Sequence, residues 1–251
     1  MKNHHVLYKK GDCRWTVLHR DPEKYDELLD SNEYLITVGN KHMLLDPGGF
    51  AIFPSVLSTL VQMINPQDIE LIFASHQDPD IASSLSLWKE IKPEIKCHVS
   101  WLWENFVPHF GGDAETYVPI PDKGHKIDLN GHIFETVPAH HMHSAGNFHL
   151  YDREAKILFS GDTGAAFLPN DQRYLFVDDF EAHTPYIDYF HRRWFGSNEH
   201  KNDWCERVSE MDIELLCPQH GAIYFGDNVK RFIDWLYKLN VGSANNRGNK
   251  L

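Results

Sequence analysis

The chain has few cysteines and no long apolar run. Its 251 residues include four cysteines that form no CxxC pair, so we expect neither a disulfide framework nor a thiolate zinc site. No apolar run approaches the roughly 20 residues that a membrane-spanning helix needs. The first ten residues, MKNHHVLYKK, also lack the apolar core of a signal peptide. These features predict a soluble, cytoplasmic protein that does not enter a membrane.

Positive charge is also scarce. The 24 Lys and Arg residues stand against 36 Asp and Glu residues, which gives a formal net charge of -12. A nucleic-acid partner requires a basic stripe that neutralises phosphates, and the sequence contains none. We therefore expect no nucleic-acid partner.

Apolar periodicity predicts strands and helices mixed within one α/β domain over residues 1–251, with a polar, frayed tail at about 241–251. Period-two or wholly apolar runs favour strands, and apolar residues at helical spacing favour helices. Strands are predicted at 34–38, 42–45, 68–75, 96–103, 132–139, 148–152, 156–160 and 213–217. Strands 34–38 and 42–45 are predicted to form a hairpin closed by a DPGG turn, strands 148–152 and 156–160 a second hairpin, and the almost wholly apolar strand 68–75 is expected inside the sheet. Helices are predicted at 53–64, 81–91, much of 189–211, and 227–239.

Potential metal ligands follow four of these predicted strands, in the loops SHQDPD, PAHHMHSAGN, SGDTG and PQHG. Taken singly, an aspartate or histidine at such a position more often stabilises a turn, caps an element or packs in the core than binds a metal. Their joint occurrence at strand ends, where α/β folds build their sites, instead predicts a metal site. Three imidazoles and three carboxylates suit iron, manganese or catalytic zinc better than structural zinc. The candidate ligands are His76, Asp78, Asp80, His143, Asp162 and His220.

This pattern resembles the metallo-β-lactamase superfamily, and in particular the diiron domain of the flavodiiron proteins. Between Asp80 and His143 lie 62 residues, between His143 and Asp162 lie 18, and between Asp162 and His220 lie 57. The segments NEYLI, LLDPGG, LFSGD and CPQHG extend the likeness over most of the chain. The resemblance implies an αββα sandwich that holds two iron ions, joined by an oxo, hydroxo or peroxo bridge, with zinc or manganese as substitutes.

The resemblance also implies a role for each candidate ligand. It implies that His76, Asp78 and His143 hold one iron. It implies that Asp80 and His220 hold the other, and that Asp162 bridges the two. A bridging carboxylate offsets the repulsion between two cations. No catalytic residue separate from these ligands is expected.

Two positions depart from the family pattern. Asp78 stands where the family has Glu, one methylene longer, and Ile81 stands where a histidine often supplies a further ligand. His140 or His141 could replace that ligand, or either could lie outside the coordination shell. No segment resembles the FMN-binding loop of a flavodoxin domain, so no FMN site is expected.

Three functions remain open at this point. The resemblance extends to oxygen-binding diiron proteins, which are linked to sensing and to chemotaxis-type signalling partners. An O2 or NO reductase would draw electrons from a separate flavoprotein or rubredoxin, and the family pattern allows a head-to-tail homodimer. Zinc hydrolases of the superfamily usually read H-x-H-x-D-H, which Asp78 and Ile81 contradict. Since the sequence holds no electron donor, we favour the sensor over the reductase.

The cysteines provide a first test. Cys97→Ser and Cys205→Ser should leave the metal content unchanged, because no cysteine has ligand spacing. Elemental analysis of the purified variants checks this expectation. A folded variant that has lost metal would contradict a site built from histidine and carboxylate alone.

Overall fold

An antiparallel meander opens the chain and continues as a parallel sheet. The computed structural model describes residues 1–21, 24, 28–111 and 114–245, and within them seven strands form one sheet in chain order. These strands are β1 (Asn3–Lys10), β2 (Cys13–His19), β3 (Glu33–Val38), β4 (Lys41–Leu45), β5 (Ile69–Phe73), β6 (Lys96–Ser100) and β7 (Tyr117–Ile120). Strands β1 to β4 pair antiparallel, and β4 to β7 pair parallel.

The predicted strands of this sheet are confirmed where the sequence pattern was strongest. Strands β3 and β4 form the expected hairpin, in which Val38 pairs with Lys41 across the two-residue turn. The apolar strand β5 lies between two parallel neighbours, as its lack of alternation indicated.

Two helix predictions in this part of the chain were too long. Helix α1 (Phe53–Leu60) ends before residue 64, and the segment 81–91 does not form one helix. It belongs instead to α2 (Pro79–Ala82) and α3 (Leu85–Ile91). The hydroxyl groups of Ser83 and Ser84 donate to the carbonyls of Pro79 and Gly48, and such side-chain bonds compete with helical ones.

The chain divides into two compact units, Met1–Thr136 and Val137–Leu251. The boundary falls inside β9 (His132–Pro138), which pairs antiparallel with β8 (Lys126–Leu129). Each unit has its own cluster of buried apolar side chains. A single domain over the whole chain stays a prediction.

Strands of the second unit lie in the order β13, β12, β11, β10. They are β10 (Phe148–Asp152), β11 (Ile157–Phe159), β12 (Leu215–Cys217) and β13 (Tyr224–Phe225), and the helices are α4 (Phe180–Trp194), α5 (Asn198–Ser209) and α6 (Asp227–Lys238). The predicted hairpin of β10 and β11 is confirmed, and β12 runs parallel to β11. The prediction placed helix only from residue 189, whereas α4 begins nine residues earlier, where the Asp179 carboxylate accepts the Ala182 amide.

A buried lysine joins α5 to α6. The Lys201 ammonium donates to the carbonyls of Leu236 and Tyr237 at 2.7 and 2.8 Å. These carbonyls belong to the last turn of α6, where a cation complements the helix dipole.

The first residues of the polar tail are hydrogen-bonded to the rest of the second unit. The amides of Val241 and Gly242 donate to the Asn198 side chain and to the Phe195 carbonyl. The rest of the predicted frayed tail, residues 246–251, lies outside the described residues. Among the residues that the structure describes, no helix combines the length and apolar character needed to cross a membrane.

A buried ion pair ties the residue before β1 to β3. The Lys2 ammonium lies 2.9 Å from Oε2 of Glu33, and both side chains are almost fully buried. Burial raises the pKa of Glu33, and the neighbouring Lys2 charge opposes that rise. The Ser31 hydroxyl donates to the other carboxylate oxygen at 2.7 Å. The pair therefore keeps a buried carboxylate compensated.

Replacing Lys2 with Met should lower the free energy of unfolding by about 3–5 kcal/mol at neutral pH, because the Glu33 charge loses its partner. When the pKa of a carboxyl is higher in the folded state than in the unfolded state, the folded protein becomes less stable as the pH rises toward and through the folded-state pKa. The loss should therefore be larger at pH 8 than at pH 5, measured by urea denaturation. Adding Glu33→Gln to the Lys2→Met variant should restore much of the lost free energy of unfolding. An equal loss of free energy at pH 5 and pH 8 would contradict this account.

Candidate metal centre

A chain of hydrogen bonds fixes His76 in the first unit. Asp46 lies at the end of β4, and its carboxylate accepts both the Ser75 amide at 2.7 Å and the Ser75 hydroxyl at 2.6 Å. The same hydroxyl oxygen lies 2.9 Å from Nδ1 of His76. Because the hydroxyl has given its only proton to Asp46, Nδ1 must donate to it. His76 therefore keeps the lone pair on Nε2 for a metal.

His76 and Asp78 are brought together by the turn after β5. Nε2 of the buried His76 lies 3.6 Å from Oδ2 of the partly exposed Asp78. Asp78 has an extended backbone and directly precedes α2, whose first residue is Pro79. The strand end thus directs an imidazole and a carboxylate toward each other, as the sequence predicted for these two residues.

Asp80 lies in the first turn of α2, against the loop that follows β4. A Cβ atom on Gly49 would lie 3.0 Å from the carbonyl oxygen of Pro79 and 3.1 Å from Cα of Asp80. Glycine allows this close approach, since a side chain here would require the turn to shift by a few tenths of an ångström. The DPGG sequence was interpreted only as a turn; its second glycine also supports the position of a candidate ligand.

Ile81 occupies a different environment from the ligands beside it. Its side chain is fully buried in the apolar cluster of the first unit. The position at which the flavodiiron pattern often has a histidine is therefore filled here by a core residue.

In the second unit, one carboxylate lies between two imidazoles. Oδ2 of Asp162 lies 2.9 Å from Nε2 of His143, and Oδ1 lies 3.4 Å from Nε2 of His220. Asp162 and His220 are buried, and His143 is only slightly exposed. Each carboxylate oxygen thus faces its own imidazole, so Asp162 could bind one cation through each oxygen.

Two neighbouring strands hold Asp162 and His220 in register. Beyond the parallel pairing of β11 and β12, the Gln219 amide donates to Gly161 at 2.7 Å, and the Ala166 amide donates to the His220 carbonyl at 3.2 Å. Gly221 has a φ of +85°, and a Cβ atom there would lie 2.6 Å from the Ala166 Cβ. The two ligand loops are therefore locked to each other by backbone contacts.

Buried side chains hold Gly164, two residues after Asp162. The Gly164 amide donates to Nε2 of His191 at 3.0 Å, while Nδ1 of His191 donates to the Ile187 carbonyl at 2.7 Å. Burial lowers the pKa of His191 to about 4, which keeps the ring neutral and able to accept. The Tyr224 hydroxyl donates to the Gly164 carbonyl at 3.0 Å. No local sequence pattern indicates these supports, because they join residues far apart in the chain.

His140 and His141 differ in their surroundings. Nδ1 of His140 donates to the Ala145 carbonyl at 3.1 Å, which leaves Nε2 as its potential ligand atom. His141 is exposed, and its ring lies 4.4 Å from that of His200, centroid to centroid. His141 is therefore the less suited of the two to a buried metal.

The donor set of each unit fits a metal ion. The first unit presents a fixed imidazole beside a carboxylate, and the second presents a carboxylate flanked by two imidazoles. Neutral imidazoles and carboxylates are ligands that iron, manganese and catalytic zinc accept. The four cysteines are buried, free thiols. Burial raises the pKa of Cys205 to about 12, which disfavours the thiolate that a metal would need.

Solved structures of known proteins resemble this chain over nearly its whole length. A structure described as the peroxy diiron species of chemotaxis sensor ODP is 38% identical, covers 97% of both chains and has a TM-score of 0.86. The apo state of chemotaxis sensor ODP from T. denticola is 39% identical, covers 98% of both chains and has a TM-score of 0.84. A flavo di-iron protein from Thermotoga maritima, 21% identical with a TM-score of 0.79, shares the fold over 94% of this chain and 61% of its own.

Curated relatives are more distant and longer. An uncharacterized protein of Methanocaldococcus jannaschii is 24% identical over 91% of this chain and 58% of its own length. A flavo-diiron protein of Clostridium acetobutylicum is 22% identical over 76% of this chain and 48% of its own length. The chain thus spans about half the length of these two relatives.

These comparisons confirm the α/β fold of the metallo-β-lactamase type and the resemblance to flavodiiron proteins. A family model described as ODP family beta lactamase matches residues 29–221, more than half of the chain. The chain belongs to the ODP family of beta-lactamase proteins.

Proposed function

We propose that this protein holds two iron ions, binds and reacts with O2 through them, and reports oxygen or redox state to a signalling partner. The two ODP structures support this proposal, because they are described as a chemotaxis sensor and one of them as a diiron species. Their identity to this chain, 38% and 39% over nearly the full length of both proteins, exceeds that of the flavodiiron structure at 21%.

The proposed ligand set is the one that the resemblance to flavodiiron proteins implies. His76, Asp78 and His143 would hold one iron, while Asp80 and His220 would hold the other. Asp162 would bridge the two. Zinc or manganese could occupy the same ligands in vitro.

The position of Asp162 is the observation that carries this proposal. Its two oxygens face different imidazoles, at 2.9 Å for His143 and 3.4 Å for His220. A carboxylate that serves one mononuclear site has no need of a separate imidazole at each oxygen. A bridging carboxylate does, because each oxygen belongs to the coordination shell of a different cation.

Iron, when bound, would supply the electrons that O2 accepts. The chain itself supplies orientation and a low-dielectric setting. Ser75 fixes the His76 ring with Nε2 available, and the buried Asp162 places negative charge where two cations would otherwise repel each other. Burial of these ligands also limits the access of water to the site.

An O2 or NO reductase is the second candidate, and the flavo-diiron and diflavin relatives favour it. It would need a separate flavoprotein or rubredoxin as electron donor, and O2 or NO as substrate. Zinc hydrolysis is disfavoured, because Asp78 and Ile81 replace two histidines of the hydrolase pattern and Ile81 is a core residue.

The proposal includes a cytoplasmic location, a signalling partner, and a head-to-tail homodimer of the kind the flavodiiron resemblance implies. Four buried free thiols fit a reducing compartment. The homodimer is the least supported of these points, since it rests on the family resemblance alone.

Metal content tests the ligand set. Protein purified without added metal should contain two iron ions per chain, and Asp162→Ala should lose both, because the bridge holds each cation. Asp78→Ala should weaken mainly one site. Elemental analysis and metal titration measure these effects.

Asp179→Ala is the matched control. It removes an aspartate of the same unit, and Asp179 caps α4 and is not a proposed ligand. It should retain both metals. Two metals bound at normal affinity by Asp162→Ala would refute the bridging role, and one zinc per chain without iron would refute the diiron proposal.

The reaction with O2 separates the candidate functions. Anaerobically reduced, iron-loaded protein should develop a persistent visible absorption band when it is mixed with O2 in a stopped-flow instrument. Its turnover with added flavoprotein or rubredoxin should be slow, since a sensor must hold its state until a partner reads it. Fast, sustained consumption of O2 or NO with such a donor would favour the reductase, and no reaction would favour hydrolysis.

A further inference from the structure

A row of aromatic rings leads from a proposed metal ligand to the surface of the second unit. The His143 ring lies edge-on to Phe190, with 5.9 Å between centroids. Phe190 stacks on Trp194 at 5.3 Å with an interplanar angle of 25°, and Trp194 contacts Tyr189 at 5.9 Å. Phe190 is buried, whereas Trp194 is 41% exposed and Tyr189 is 52% exposed. The row thus begins beside a proposed ligand that is only slightly exposed and ends in solvent.

Helical spacing places these rings together. Phe190 and Trp194 are four residues apart on α4, so their side chains lie on the same face of the helix, one turn apart. Phe190 belongs to the buried cluster of the second unit, and Trp194 lies at the end of the helix, where it reaches solvent. The step from buried to exposed therefore takes only one helical turn.

The ring types suit electron transfer. Transfer through protein falls off steeply with distance, and rings in van der Waals contact couple better than aliphatic side chains. Indole and phenol rings can be oxidised by one electron at potentials that metal centres reach, whereas the Phe190 ring can only act as a bridge. The Arg193 guanidinium lies 5.8 Å from the Trp194 ring and disfavours a positive charge on it. An oxidised Trp194 would therefore release its indole proton to water.

We infer that Phe190, Trp194 and Tyr189 form an electron-transfer route between the proposed iron centre and the protein surface. This inference rests on the proposed function, since it requires a redox-active metal beside His143. The route would let a redox partner at Trp194 reset the oxidation state of the proposed centre without contacting its ligands. It assigns to this face of α4 a role that a purely apolar cluster would not have.

The route can be followed without an external donor, because Trp194 itself then supplies the electrons. Hydrogen peroxide takes two electrons from the iron centre and, with two protons, is reduced to two water molecules. The centre regains two electrons from the Trp194 indole, which loses its Nε1 proton, adds the oxygen of one water molecule and releases a second proton. The product carries one added oxygen atom, which peptide mass spectrometry locates at the modified residue.

Trp101 is the internal control, because it is 44% exposed, nearly the same as Trp194. Treatment of the iron-loaded protein with peroxide should oxidise Trp194 severalfold more than Trp101. The zinc-loaded protein, whose metal has no accessible redox change, should oxidise both tryptophans to a similar, low extent. Equal oxidation of the two residues in the iron-loaded protein would overturn the inference.

Two variants separate the route from local packing. Phe190→Leu removes the bridge and should reduce Trp194 oxidation to the level of Trp101. Phe167→Leu removes a ring that also contacts Trp194, at 6.1 Å, but leaves the row from His143 to Trp194 complete. It should leave Trp194 oxidation unchanged. Equal effects of the two variants would show that packing, and not the row, controls the reaction.

Iron content and visible absorbance are measured on the same samples, together with the thermal unfolding midpoint. Failure of the proposed function shows as protein that binds no iron pair. Failure of the present inference shows as folded, iron-loaded protein in which the Phe190→Leu substitution does not change Trp194 oxidation.

Discussion

The ligands of the second unit are arranged around a buried carboxylate that lies between two imidazoles. Taking the Asp162 charge out of water costs several kcal/mol unless hydrogen bonds or opposite charges offset it. Nε2 of His143 is hydrogen-bonded to one carboxylate oxygen at 2.9 Å, and Nε2 of His220 lies 3.4 Å from the other. Without a metal, imidazole N–H groups can donate along the directions from which cations would approach. In the metal-free protein these hydrogen bonds can therefore keep Asp162 and its neighbouring imidazoles ordered.

The geometry of this trio is set by groups that never touch a metal. Backbone bonds lock the loop after β11 to the loop after β12, and His191 and Tyr224 hold Gly164 from two sides. The Tyr224 ring lies 4.6 Å from Phe232 on α6, and His191 belongs to α4. The positions of the ligands are thus coupled to the packing of two helices through His191 and Tyr224.

Many strand positions and the positions of the candidate ligands could be predicted, because both depend on local sequence pattern. The hairpin of β3 and β4 and the strand β5 have strong alternation or a wholly apolar run. Strands β1 and β2 were missed, since β1 is largely exposed and its sequence, NHHVLYKK, does not alternate clearly. Its pairing with β2 is decided by tertiary contacts, among them the buried Lys2 that follows Met1.

The candidate ligands were found from their positions after strands, but their supports were not. Asp46 and Ser75 are 29 residues apart, and nothing in either local sequence indicates that they bond. The break between α2 and α3 was likewise hidden, because the apolar spacing runs through it while Ser84 bonds to a distant carbonyl. Local sequence pattern indicates which side chains could bind a metal, whereas long-range hydrogen bonds determine the orientation of those side chains.

The single proton of the Ser75 hydroxyl has a consequence for metal exchange. Because that proton belongs to Asp46, His76 is committed to one tautomer before any ion arrives. An ion that binds to Nε2 displaces no proton from the ring, and an ion that leaves needs none returned. Loading and release at this ligand can then proceed without a tautomer change in the ring.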